Sequence, residues 1–172
     1  SRMIRISAAA VVIAACLYGT TGANAADLPK ATQNALAELQ LDASILNGLD
    51  KELDVPAAWI EGAKKERNLR ITGSYDDKQF KVLALPFNER YPFVKIIYMR
   101  GDLVARAVKP MLALKEKRII ADIVTGLGGM VNEYMAIDGF DNLQDLPAYD
   151  SVAPGYKQKD GLWIGAKLRY WC

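Results

Sequence analysis

The sequence contains no histidine, and its two cysteines are Cys16 and Cys172. Without histidine the chain cannot build a Ser-His or Cys-His nucleophile pair, and it cannot hold a metal through imidazole ligands. If Cys16 is removed with an N-terminal signal, as argued below, no internal disulfide can form. A chain of this length can bury a stable core without one. These absences exclude the commonest hydrolase centres, whereas chemistry based on Asp, Glu or Lys stays open.

The chain also lacks a large excess of charge of one sign. Its formal net charge is +2, and removal of the first 25 residues takes away Arg2 and Arg5 without any acidic side chain. The remainder then holds 20 basic and 20 acidic side chains, which lacks the electrostatic footprint of a nucleic-acid-binding protein. The charges are grouped in blocks along the sequence, however. Residues 57–118 hold 14 basic and 7 acidic side chains, and residues 119–155 hold six acidic and no basic ones. Such blocks are typical of solvated faces.

The N-terminal residues have the pattern of an export signal. A short cationic segment around Arg5 precedes an apolar stretch over residues 6–17, which is too short to span a bilayer comfortably. Small residues at Ala23 and Ala25 match the pattern read by signal peptidase, so we expect cleavage after Ala25 and a periplasmic protein of 147 residues. An alternative is a lipoprotein signal, in which Cys16 would carry lipid and become the N-terminus.

The rest of the chain alternates helical and strand patterns. We expect a helical N-terminal preface over residues 26–56, with one or two short helices in residues 31–49, followed by an α/β unit over residues 57–172. Asp54 and Pro56 predict a helix start, with the Asp54 side chain as the cap and Pro56 inside the first turn. Pro86 and Pro110 fall inside predicted helices and are expected to kink or shorten them. The predicted helices cover residues 57–66, 76–91, 103–114 and 126–137, and the predicted strands cover residues 69–72, 93–99, 119–124 and 162–168.

Strands separated by helices predict a mostly parallel sheet with right-handed crossovers. Ligands of such sheets bind beyond the carboxyl ends of the strands. That rule selects three loops: Gly73, Ser74 and Tyr75; Arg100, Gly101 and Asp102; and Thr125, Gly126 and Leu127. The hydroxyl groups of these loops, the free N–H groups at the helix starts behind them and the guanidinium of Arg100 could donate hydrogen bonds to an anion. The alternative interpretation is that Ser74, Asp102 and Thr125 only cap helices.

Several stretches resemble the N-terminal part of bacterial extracellular solute-binding proteins of ABC importers. They read WIEGAKKERNLRITGSY, PFNERYPFVKIIYMRG, KEKRIIADIV and KQKDGLWIGAKLRYWC, and together they cover residues 59–172. The chain is most similar to the group (family 1) that includes periplasmic iron(III)-binding proteins. The resemblance implies the first lobe of a type II periplasmic-binding-protein fold, truncated before the second lobe. It carries ligand contacts over to Ser74, Tyr75, Thr125 and Gly126, with Arg100 as a further candidate.

The resemblance also implies a function. We expect an import receptor, monomeric at full length, that captures a small solute or ion and delivers it to an ABC membrane permease, without cofactor, catalysis or nucleic acid. The solute could be ferric iron or an anionic organic molecule, and no metal ligands are assigned, because iron-binding members supply tyrosines mainly from the second lobe. The alternatives are a secreted α/β enzyme and a ligand-sensing domain.

Overall fold

The structure is a computed structural model that describes residues 28–47, 54–147 and 149–165. The predicted signal peptide, the alternative lipid site at Cys16, the C-terminal Cys172 and the end of the predicted strand 162–168 lie outside the described residues, so what the sequence indicates for them stays a prediction. Within the described part of the chain, no helix combines the length and the apolar character needed to cross a bilayer.

In the part of the chain that the structure describes, three short parallel strands form one open sheet, in the order β2-β1-β3. The register places Gly73 opposite Arg100 in one pair, and Ile71 opposite Ile123 in the other. Because helices flank this sheet, the prediction of an α/β class is confirmed. The strands are β1 (Asn68–Gly73), β2 (Lys95–Arg100) and β3 (Ile123–Val124).

The described α-helices agree with most of the helical patterns in the sequence. Shorter helical turns accompany the α-helices. A 3-10 turn follows the first helix, a π-helical turn spans Val104–Val108 and a 3-10 turn spans Gly128–Met130. Two more 3-10 turns span Tyr149–Ser151 and Pro154–Tyr156. The α-helices are α1 (Lys30–Glu38), α2 (Ala57–Glu66), α3 (Asp77–Arg90), α4 (Lys109–Lys115) and α5 (Val131–Met135).

The prolines affect the helices differently from the expectation. Pro56 occupies the N-cap position of α2 and no side chain caps that helix, so the capping role expected of Asp54 is wrong. Pro86 lies inside α3, yet the helix continues to Arg90. Pro110 lies in the first turn of α4, where the missing N–H is not needed, and the π-helical turn before it separates α4 from the start of the predicted helix 103–114.

Strand β3 is shorter than the predicted strand 119–124, and Arg70 explains why. The backbone N–H of Arg70 donates to Asp122 Oδ2 at 2.8 Å, and its guanidinium donates to Asp122 Oδ1 at 2.6 Å and to the carbonyl of Ile119 at 2.7 Å. Hydrogen bonds of these side chains therefore take the place of strand pairing before Asp122, whose own N–H donates to the carbonyl of Arg70 at 2.8 Å. Regular pairing begins only at Ile123.

Residues 162–165, the first part of the predicted fourth strand, do not form a strand of the sheet. Up to Gly165, the described part of residues 162–168 contributes only an isolated antiparallel bridge between Ile164 and Lys157. The ammonium of Lys157 is held by the carbonyl of Tyr149 at 2.9 Å and lies 4.5 Å from the centre of its ring. Local contacts of this segment thus take the place of pairing with the parallel sheet.

The core lies on the face of the sheet that Thr72 and Val124 share. Ala107, Met111 and Tyr134 are buried there, and Val124 packs against them. Tyr134 donates its hydroxyl to the carbonyl of Ala107 at 2.8 Å, which satisfies the one polar atom of this side chain. The π-helical turn, α4 and α5 are therefore fixed to the sheet by a common cluster.

Some residues that the i, i+3, i+4 spacing of the predicted helices places on the inward face are exposed instead. Leu83, Leu103 and Leu112 are 59%, 38% and 49% exposed, whereas Ala84 and Met111 beside them are buried. In the helix that contains Leu103 and Leu112, the π-helical turn adds a residue to one turn and rotates the two ends relative to each other. A uniform helical period therefore misplaces the side chains at the ends of this helix.

We predict that Asp122→Asn destabilises the protein and removes part of its sensitivity to acid. The hydrogen bonds from Arg70 hold the pKa of Asp122 below its ordinary value of 3.8. A carboxylate with a lowered pKa in the folded state contributes stability above pH 3.8, and that contribution is lost as the pH falls through the folded-state pKa. Thermal unfolding at several pH values should show a difference between wild type and variant that is full at neutral pH and shrinks in acid.

Glu116→Gln is the matched control for this experiment. Glu116 pairs with Arg118, but both side chains are more than 60% exposed, so the pair contributes little. Its melting temperature should stay close to that of wild type. Equal losses in the two variants would contradict the assignment of Asp122 as a link between β1 and β3.

Candidate functional site

The three loops selected from the sequence meet at the carboxyl edge of the sheet. The backbone N–H of Gly101 donates to the carbonyl of Gly73 at 3.0 Å, which joins the ends of β2 and β1. The N–H of Thr125 donates to the carbonyl of Thr72 at 2.8 Å, which joins β3 to β1 on the other side. Parallel pairing therefore brings the loop after β1 between the other two.

Gly73 allows this close approach. A Cβ atom at this position would lie 2.3 Å from Thr125 Oγ1 and 3.0 Å from the hydroxyl of Tyr98. Both distances are shorter than carbon and oxygen atoms tolerate without displacement. The space that a side chain would need is thus already filled by groups from β2 and from the loop after β3.

Tyr98 fixes the loop after β1. Its hydroxyl donates to the carbonyl of Tyr75 at 2.8 Å, and its ring stacks on Phe80 of α3 with a centroid distance of 3.7 Å. Burial is the main cause that raises the pKa of Tyr98; the charge of Asp77 adds to it, whereas the hydrogen bond to Tyr75 and the charge of Arg100 lower it. Tyr98 is therefore a neutral donor at neutral pH, and it connects β2, the first loop and α3.

Ser74 and Gly126 lie next to each other, as the sequence predicted for two site residues. A Cβ on Gly126 would lie 2.9 Å from Ser74 Oγ and 3.2 Å from Arg106 Nε. Gly126 also has a φ of +67°, a left-handed conformation that glycine adopts without strain. The first and third loops thus meet at Gly126, where the hydroxyl of the exposed Ser74 and the guanidinium of Arg106 both lie close to the same Cβ position.

Arg106 is a site residue that the sequence analysis missed. Its Nε donates to the carbonyl of Gly126 at 2.8 Å and its Nη1 to the carbonyl of Gly101 at 3.2 Å, so one side chain joins the second and third loops. Its own carbonyl accepts the hydroxyl of Thr72 at 2.7 Å. Arg106 lies in a π-helical turn, which has no clear pattern in the sequence. Such turns are rare in proteins, but those that occur are often found at functional sites.

The other predicted residues occupy the rim. Arg100 ends β2 opposite Gly73 and is exposed, and it influences the titration of Tyr98. Tyr75 is half-buried, and its carbonyl accepts the hydrogen bond from the hydroxyl of Tyr98. The structure therefore brings Ser74, Thr125 and Gly126 into contact with the loop framework and leaves Arg100 at the outer end of the edge strand.

The capping interpretation holds for one of the three residues to which it was applied. Asp102 Oδ1 accepts the backbone N–H of Ala105 at 2.8 Å, so Asp102 caps the helical segment after β2. The cap of α3 is Asp76, not Ser74. Thr125 directs its hydroxyl to the carbonyl of Thr72 at 3.3 Å and so supports the strand pairing. Ser74 is thus left as an exposed hydroxyl without a capping role.

A separate apolar cavity of about 380 Å³ lies between α2, the end of α3 and residues 146–147. Trp59, Phe87 and Tyr91 line it, and no charged side chain does. Ligand pockets combine apolar walls with a few convergent polar groups, and here those groups lie in the three loops at the carboxyl edge instead. We therefore place the candidate site at the carboxyl edge.

Comparison of the chain with known protein families, with curated proteins and with solved structures finds no match. The α/β class stands on the sheet and its helices alone, and the resemblance to solute-binding proteins stays a prediction.

We predict that Gly73→Ala destabilises the protein by about 1–3 kcal/mol, because the new methyl group must displace Thr125 or Tyr98. Gly62→Ala is the matched control, since nothing lies within 4 Å of its Cβ position in α2. Alanine should stabilise that helix by up to about 1 kcal/mol. Denaturant unfolding measures both changes, and a Gly73→Ala variant as stable as wild type would contradict the close packing of the loops.

We predict that Tyr98→Phe costs about 1 kcal/mol, because it removes the hydrogen bond to Tyr75 but keeps the stack on Phe80. Tyr98→Leu should cost more, since it loses both contacts. Amide hydrogen exchange of residues 74–77 should quicken in Tyr98→Phe while exchange in β3 stays unchanged. Unaltered exchange in the first loop would show that the hydroxyl does not fix it.

Proposed function

We propose that the chain is a solute-binding receptor, of the periplasmic-binding-protein type, that hands a small solute to an ABC membrane permease. The three loops at the carboxyl edge supply its contacts with the solute. The observation that carries the proposal is the meeting of Ser74, Thr125 and Gly126 beside the end of the central strand.

The chemistry of the candidate site fits capture better than catalysis. An exposed hydroxyl, backbone groups and two arginines can hold a solute by hydrogen bonds, and the described loops lack histidine and cysteine. The framework behind them is fixed by hydrogen bonds that involve Tyr98, Arg106 and Thr125. A receptor of this kind closes around its solute because the closed state binds it more tightly.

The proposal is tested by what the protein does to a captured molecule. The purified full chain is incubated with spent growth medium, and bound small molecules are identified by mass spectrometry. A receptor releases the captured solute chemically unchanged. Conversion of that solute to another compound would favour the secreted enzyme instead, and failure to retain any solute would count against the proposal.

We predict that Ser74→Ala weakens retention of that solute about tenfold, which corresponds to 1–2 kcal/mol from a lost hydrogen bond. The melting temperature should hardly change, because Ser74 caps no helix. Ser151→Ala, at an exposed serine in a turn outside the candidate site, is the control and should retain the solute normally. A Ser74→Ala variant that melts early but binds normally would show a purely structural role.

Processing of the N-terminus tests the proposed periplasmic location. Expressed in a Gram-negative host, the chain should appear in the periplasmic fraction with Ala26 as its first residue. A membrane fraction that carries a lipid on Cys16 would show that the lipoprotein alternative is correct. Retention of the uncleaved chain in the cytoplasm would contradict export altogether.

A further inference from the structure

The backbone oxygens at the carboxyl edge are already engaged as hydrogen-bond acceptors. The carbonyl of Thr72 accepts the N–H of Thr125, that of Gly73 accepts the N–H of Gly101, and that of Tyr75 accepts the hydroxyl of Tyr98. The carbonyls of Gly101 and Gly126 both accept from Arg106.

The carboxylates near this edge are partly engaged as well. Asp76 Oδ1 accepts the N–H of Gln79 at 2.9 Å, and Asp102 Oδ1 accepts that of Ala105. Asp77 lies in the first turn of α3, where its charge complements the helix start. Among the described residues, no group of three or more Asp, Glu, Cys or His side chains is arranged to hold a metal ion.

Three side chains at this edge can donate hydrogen bonds to an anion. Ser74 is exposed and its hydroxyl lies next to Gly126, and the guanidinium of the half-buried Arg106 lies close to the same Cβ position of that glycine. Two N–H groups of Arg106 donate to carbonyls, and a guanidinium has further N–H groups that can donate to a ligand. Arg100 adds a second cation at the end of β2.

We infer that the solute presents an oxyanion, a carboxylate or a phosphate group, to Ser74 and Arg106 over Gly126, with Arg100 at the rim. This inference rests on the proposed receptor function and names the class of solute. Donor groups with positive charge bind oxyanions through short, charge-assisted hydrogen bonds. A ferric cation needs several hard oxygen ligands, and no group of three or more carboxylates among the described residues is arranged to supply them.

The arrangement also explains why Gly126 and Arg106 occur together. The guanidinium is held in place by two carbonyls from different loops, so it does not have to be ordered when a ligand arrives. The missing side chain at Gly126 lets the hydroxyl and the guanidinium lie close to this residue, because a Cβ atom there would be only 2.9 Å from Ser74 Oγ and 3.2 Å from Arg106 Nε.

The test is a nuclear magnetic resonance titration of the full chain with sodium phosphate, with sodium acetate and with sodium chloride at constant ionic strength. We expect saturable shifts of the Ser74 and Gly126 amides with phosphate or acetate and none with chloride. The more effective of the two salts identifies the anion as a phosphate or a carboxylate. Linear, unsaturated responses to all three salts would overturn the inference.

Variants locate the binding. Ser74→Ala and Arg106→Gln should each raise the dissociation constant about tenfold or more, because each removes a donor to a charged group. Since Arg106 also ties two loops, Arg100→Gln provides a second test of charge at the rim and should weaken binding without altering the amides of the loops after β1 and β3 in the free protein. Lys117→Gln, at a cation that precedes β3 at the opposite edge, is the control and should bind as wild type does. Equal weakening by Lys117→Gln would show non-specific attraction and overturn the inference.

A final arm separates this inference from the proposed function. Ferric ion supplied as its nitrilotriacetate complex carries carboxylates of its own, so any broadening of the loop signals should be abolished by excess sodium acetate. Broadening centred on Tyr75, without any saturable response to the anions, would refute the oxyanion and leave a receptor for a cation. Saturable anion binding by a protein that retains no solute from medium would support the oxyanion site and refute the receptor.

Discussion

The central strand β1 determines the rest of the arrangement, because both β2 and β3 are bonded to it and not to each other. Its last residue, Gly73, lies so close to Thr125 and Tyr98 that no side chain fits. The loops that follow the three strands can meet only because of this contact. The order of the sheet and the absence of one Cβ atom therefore define the candidate site together.

Hydrogen bonds from side chains hold together the segments on either side of the short strands. Arg70 and Asp122 hold the chain before β3 against β1, and Arg106 ties the loops after β2 and β3 at the opposite edge. Such pairs matter here because β3 has only two residues of regular pairing. The rigidity of the donors at the candidate site thus depends on arginines that lie on either side of a small sheet.

Periodicity in the sequence predicted the α/β class, the first two strands and the location of the three loops. It failed where a side chain replaces the backbone, as Asp122 does before β3, and where a helix changes its period, as at Val104–Val108. Arg106 was missed for the second reason, because its position depends on the π-helical turn. The adjacency of Ser74 and Gly126 was predictable from parallel pairing, whereas the engagement of the loop carbonyls required the three-dimensional structure.

Hydrogen–deuterium exchange of the full chain, with and without sodium phosphate, tests most directly whether the carboxyl edge is the binding site. The account predicts added protection in the three loops at residues 74–77, 101–106 and 125–130, and no change around the apolar cavity beside Trp59. Protection confined to the helices that line that cavity, or to the amino edge of the sheet, would contradict it.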